Sequence, residues 1–243
     1  MLWISTSCLK NSPLDIALEN IGLLTKGVEI VDGGKHFIQE YDIYDVLESY
    51  PYKYAFFLKQ FDINPASVIE PIRKAATEVI KQRFVIAAEL GARVIMYPGY
   101  VSFSGDLSKA RQQLSRSLTE LMSSAQDLGI TFMVRNTGRS HLSLLRKPSE
   151  LASLSMVPLS LDIGNAHQNN CLHDFLYEGA SRYICLYDNN GFTSEHLDIG
   201  KGTIDFSRVS KGMHANGATG ILEMPTYQRA YEAMKALRRF DIG

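Results

Sequence analysis

Two carboxylates and a guanidinium stand where apolar runs of β-strand character give out into turns. Pro158 to Asp162 ends on an acid, Gly220 to Glu223 ends on another, and Thr131 to Arg135 ends on a cation followed by Asn136. Paired carboxylates at one end of a sheet can take and return a proton, and a neighbouring guanidinium can stabilise the anion formed in between. Asp162, Glu223 and Arg135 are therefore the candidate catalytic residues. The segment YICLYDNNGFTSEHLDIGKGTIDF, from Tyr183 to Phe206, adds Asp188 in an Asp-Asn-Asn-Gly turn, then His196 and Lys201. Glu29, Tyr97, Asn136, His167, Asp188, His196 and Lys201 form the candidate binding set.

Several of these residues have a plainer reading. Glu29 suits an active acid or the cap of a following helix equally well. Tyr54 and Tyr97 read as packed aromatics more readily than as proton donors. His167 and His196 follow the sixth and seventh runs and are the histidines to expect near a pocket. His36, His141, His173 and His214 read as loop or surface histidines. Ser5, Ser7 and Cys8 end the first run with no histidine assignable beside them, so no nucleophile triad is visible. Charged side chains are seldom buried unless paired, so the cluster marks either a pocket or a network of ion pairs.

The elements that must position these groups recur along the chain. Short apolar runs lie at Leu2 to Thr6, Val28 to Val31, Tyr54 to Leu58, Arg93 to Tyr97, Thr131 to Arg135, Pro158 to Asp162, Tyr183 to Tyr187 and Gly220 to Glu223. Their spacing of ~30 residues suits one strand and one helix each, which predicts an α/β fold, a single (β/α)8 barrel over residues 1–243. Helical periodicity is clearest over 66–90, 107–128 and 227–240, the first two closed by Gly91 and Gly129 and the last by a basic turn with Lys235, Arg238 and Arg239. The stretches after the second, fifth and sixth runs read as partial helices and loops. In such a barrel the C-terminal strand tips carry the chemistry, which is where the polar residues fall.

Composition narrows the partners. Against 26 acidic residues stand 25 basic ones, for a net charge of −1, without the surplus used to bind a phosphate backbone. Three scattered cysteines, Cys8, Cys171 and Cys185, do not make a disulfide framework and point to a reducing cytoplasm. The N-terminus lacks the pattern of a signal peptide, and no run approaches the ~18 apolar residues of a membrane span.

Four stretches resemble the xylose-isomerase-like TIM-barrel superfamily, which includes sugar isomerases and epimerases and the endonuclease IV-like nucleases. They are IRKAATEVIKQRFVIAAELGARVIMYPG (72–99), LDIGNAH (161–167), the Tyr183 to Phe206 segment, and ILEM (221–224). The resemblance implies a metal site, and the departures fall on it. Where relatives carry His-Pro-Gly the chain has Tyr97-Pro98-Gly99, and Tyr54 or Phe57 stands for the third-strand histidine. A ligand glutamate is Arg135. Asp162 is kept, but the histidine after it is Asn165. The seventh-strand histidine is Cys185, Ser194 replaces the aspartate paired with His196, and Glu223 is kept. A cation would meet a guanidinium there, so no divalent metal is expected, and Arg135 is read as its replacement, bridging Asp162 and Glu223.

The resemblance thus implies a sugar isomerase- or epimerase-related protein acting on or binding a small polyhydroxy or anionic metabolite, with Lys201, Arg139 and His196 available to an acidic group. The alternative is a non-catalytic binding barrel with an aromatic interface over 41–61; an abasic-site nuclease comes third. A small-molecule partner is expected and self-association is allowed, whereas nucleic acid and membrane are not expected.

Overall fold

Eight short segments pair edge to edge and close on themselves. β1 (Leu2–Ser5), β2 (Gly27–Val31), β3 (Lys53–Leu58), β4 (Arg93–Met96), β5 (Phe132–Arg135), β6 (Leu159–Asp162), β7 (Tyr183–Leu186) and β8 (Thr219–Leu222) run parallel in sequence order, and β8 pairs with β1. The computed structural model describes residues 1–38, 41–59, 62–102, 105–153, 157–178 and 181–243. This is the predicted (β/α)8 TIM barrel. Its strands are mostly apolar because each is covered by helices outside and by side chains within.

Around the barrel lie α1 (Leu14–Gly22), α2 (Tyr41–Glu48), α3 (Glu70–Glu89), α4 (Leu107–Asp127), α5 (Ile163–Gln168), α6 (Leu172–Glu178), α7 (Phe206–Asn216) and α8 (Tyr227–Leu237). The longest two, α3 and α4, end where Gly91 and Gly129 take positive φ of 59° and 67°. Asp106 caps α4 by accepting from the Ser108 and Lys109 amides. Helix α3 begins four residues later than its periodicity suggests. Asn64 Oδ1 accepts the amides of Ala66 and Tyr100, both at 3.1 Å, which holds 64–67 in a turn, and Pro71 then occupies the first helical turn. The basic end of the chain divides, with Lys235 in α8 and Arg238 and Arg239 in the 3-10 turn that follows.

The barrel interior is filled by Trp3, Ala55, Phe57, Ile95, Met133, Tyr183 and Ile221. Trp3 meets Tyr183 edge-on at 5.5 Å and lies so close to β2 that a Cβ on Gly27 would come within 2.2 Å of its ring. This largely apolar plug fills the barrel beneath the polar groups of the C-terminal mouth.

The aromatics of 41–61 are mostly core, not an exposed interface. Tyr54 donates to the Leu47 carbonyl at 2.9 Å, Phe56 and Phe57 are buried, and Tyr50 and Tyr52 stack at 5.3 Å over the core. Phe61 and the side chain of Tyr41 lie outside the described residues. No described helix is long and apolar enough to cross a membrane.

Candidate functional site

At the C-terminal mouth, Arg135 lies fully buried beneath two cavities. Its guanidinium leaves β5, stacks 3.8 Å over the Phe57 ring, pairs with Glu29 Oε2, and reaches Glu223 Oε2 at 3.5 Å. Its Nε donates to Ser160 Oγ at 3.3 Å. Arg135 therefore bridges Glu29 and Glu223, not Asp162 and Glu223 as expected. Asp162 is turned away because it caps α5, accepting the Asn165 amide at 2.8 Å, and takes the Tyr187 hydroxyl at 2.9 Å. Burial opposes the Arg135 charge, but the Glu29 and Glu223 carboxylates beside it outweigh burial and hold the guanidinium protonated. Being fully buried and lining neither cavity, Arg135 supports the site from below.

The cation at the surface is Lys59, which the sequence reading missed. It follows β3 directly, and its Nζ lies 2.5 Å from Glu223 Oε1 with 35% of the side chain exposed. Burial alone would raise the Glu223 carboxyl; Lys59, then Arg135 and His196, hold it at about 2. Asp162 moves the other way, raised by burial and then by the nearby Glu223 charge. Glu29 is also raised by burial, against the pull of Arg135, and its Oε1 has no hydrogen-bond partner among the described residues. It is neither a helix cap nor a cavity residue.

Two cavities meet at this point. One, of about 530 Å³, is lined by Tyr97, Tyr100, Asp162, Asn165 and Tyr187; the other, of about 590 Å³, by Ser7, Lys10, Asn11 and Glu195; Lys59, His196 and Glu223 line both. His196 sits at positive φ (47°), stacks on Tyr187 at 3.8 Å and bonds the Glu223 carbonyl through Nδ1 at 2.8 Å. A carbonyl only accepts, so Nδ1 carries the proton of that bond. Tyr97 stands edge-on to Phe57 at 5.1 Å, and burial and then Asp162 drive its hydroxyl pKa well up.

Other candidates build the site without facing it. Asn136 donates to the Asp162 carbonyl at 3.0 Å and accepts its amide at 2.6 Å, fixing the strand end. Asp188 is a loop clamp: its oxygens accept the amides of Asn189, Gly200, Gly202 and Ile204 at 2.9–3.2 Å. His167 bonds Thr203 Oγ1 at 2.8 Å, and neither it nor the exposed Lys201 and Arg139 line either cavity. Tyr54 points outward from β3. His36, expected at the surface, is buried between Thr6 Oγ1 and the Ser12 carbonyl at 3.1 and 3.0 Å.

Asp162, Cys185 and Glu223 bring ligand atoms within 4.8 Å of one another, a grouping that could hold a metal ion. The Glu223 and Cys185 atoms already have partners. Both Glu223 oxygens face cations, and Oε2 also accepts the Cys185 thiol at 3.3 Å. Burial, then Glu223 and Asp162, push that thiol well above its ordinary range.

Comparison with known proteins agrees with this architecture. Over 230 residues the chain is 29% identical to an uncharacterized protein of Methanocaldococcus jannaschii, covering 92% of this chain and 91% of that one. A D-tagatose 3-epimerase-like protein superposes with a TM-score of 0.91 at 24% identity, covering 98% and 96% of the two chains. The 3-keto-D-glucoside 4-epimerase of E. coli gives 0.81 at 15% identity, covering 98% of each. Those two likenesses establish the fold. Residues 26–241 match the family described as xylose isomerase-like TIM barrel, and the chain belongs to that family.

Proposed function

We propose that this barrel catalyses proton transfer beside the carbonyl of a small polyhydroxy compound, as an isomerase or epimerase, without a divalent metal. The observation that carries the reading is two carboxyls lining one cavity in unlike settings, Asp162 against an amide and a tyrosine hydroxyl and Glu223 gripped by Lys59 and Arg135, so that the first is raised and the second held at about 2. Environments that push neighbouring acids apart set one to give a proton and the other to take it. The sugar epimerases among the structural neighbours make a polyhydroxy carbonyl compound the natural substrate class.

The donor set does not fit a divalent ion. A metal needs a thiolate from Cys185 and free oxygens from Glu223, whereas the thiol is held protonated and the oxygens are engaged by Lys59 and Arg135. Displacing two cations to admit a third would leave both without their Glu223 partner. The nuclease reading loses its support on the same ground. Free, buried cysteines are in keeping with a reducing cytoplasm.

Engagement of both Glu223 oxygens favours one second reading, a barrel that binds such a compound without turning it over. Chelator-treated protein incubated with ketohexoses in D₂O separates the two. Catalysis predicts loss of the proton signals flanking the carbonyl, slowed about 10²-fold or more by Asp162→Asn or Glu223→Gln. Saturable binding with no deuterium incorporation would leave the binding barrel.

A further inference from the structure

We infer that the Lys59 ammonium is the group that meets the oxyanion of the bound compound, with Arg135 as a positioning residue beneath it. The assignment rests on the proton-transfer reading and adds the residue that reading lacks, a cation at the reacting oxygen.

Position separates the two cations. Arg135 is fully buried and lines neither cavity, whereas Lys59 lines both and keeps 35% of its side chain exposed. The cavities meet at Lys59, Glu223 and His196, so a ligand seated at their junction lies against the ammonium. An ammonium carries three donors, and among the described residues Glu223 takes one. Glu223 anchors Nζ at 2.5 Å from one side, and the Phe57 ring lies 5.8 Å away on another. Arg135 stacks on that same ring and holds the other Glu223 oxygen, so it fixes both supports of Lys59 while touching no ligand.

The step balances without an oxidant. A substrate C–H bond breaks and its proton passes to a carboxylate. The bond pair becomes the C=C bond of an enediolate, as the carbonyl π pair moves onto oxygen beside Lys59. Proton return to the same carbon on the opposite face regenerates the carbonyl as the epimer, and return at the former carbonyl carbon gives the isomer once the neighbouring hydroxyl proton has passed to the oxyanion; either return releases the ammonium contact. A preorganised charge aimed at that oxygen is how such a site lowers its barrier.

The test is calorimetric titration, with chelator present, of threonate and threitol, whose carboxylate and neutral polyol forms differ at the group that Lys59 would meet. Wild type is expected to bind threonate about tenfold or more tighter than threitol. Lys59→Met should erase that preference, and Lys59→Arg should retain much of it. Equal affinities in wild type, or a preference that survives in Lys59→Met, would overturn the assignment, as would a sugar adduct on Lys59 trapped by borohydride. The deuterium experiment reads the parent hypothesis separately. A Lys59-dependent threonate preference with no exchange would sink proton transfer but support Lys59 as the anion contact; exchange that persists in Lys59→Met would do the reverse.

Discussion

Lys59 Nζ lies 2.5 Å from Glu223 Oε1, although 164 positions of sequence separate the two residues. The barrel brings the end of β3 across from the end of β8, and Arg135 completes the grip from below on the second oxygen at 3.5 Å. A carboxylate held between two cations is ionised at neutral pH, and its behaviour in acid follows.

The Glu223 carboxyl lies at about 2 in the folded chain against an ordinary value of 4.5. A folded value below the unfolded one gives stability that is present above the unfolded value and is lost as pH falls through the folded one. The stability difference between wild type and Glu223→Gln should therefore be largest near neutrality and shrink from pH 4.5 towards 2. Urea unfolding across that range measures it.

Arg135→Met should destabilise the barrel by about 3–5 kcal/mol, because Glu29 is left buried without its ion-pair partner. Adding Glu29→Gln should recover part of the loss, since an amide needs no counter-charge. Chemical denaturation of the single and double variants gives the comparison.

Asp188→Ala should loosen the loop after β7, because four backbone amides lose their acceptor. A cost of about 1–3 kcal/mol is expected, with faster hydrogen exchange at Gly200, Gly202 and Ile204. Asp188 lines neither cavity, so threonate affinity should change little in a variant that folds.

All eight strands lie where the apolar runs place them, because a parallel strand buried on both faces leaves a continuous hydrophobic signature. The polar strand ends were legible for the same reason. Lys59 was not: the third run, YAFFL, has no alternation to set its facing, and weighing Tyr54 as the third-strand candidate put the working end at its beginning. The residue just past the run carried the signal. The partner of Arg135 was misread because strand order favours its neighbour Asp162, whereas the side chain crosses the barrel to Glu29. Asp188 shows the remaining limit, since its acceptors' partners are backbone amides that residue types do not reveal.

The account stands on protein cations, Lys59 and Arg135, serving at Glu223 where a divalent ion would otherwise be held. Protein purified without chelators, analysed for metal by plasma mass spectrometry and titrated with manganese, zinc and magnesium in thermal unfolding, tests this most directly. The expected result is far less than one metal per chain and no stabilisation on titration. One equivalent of tightly held metal, lost in Glu223→Gln and in Asp162→Asn, would contradict it.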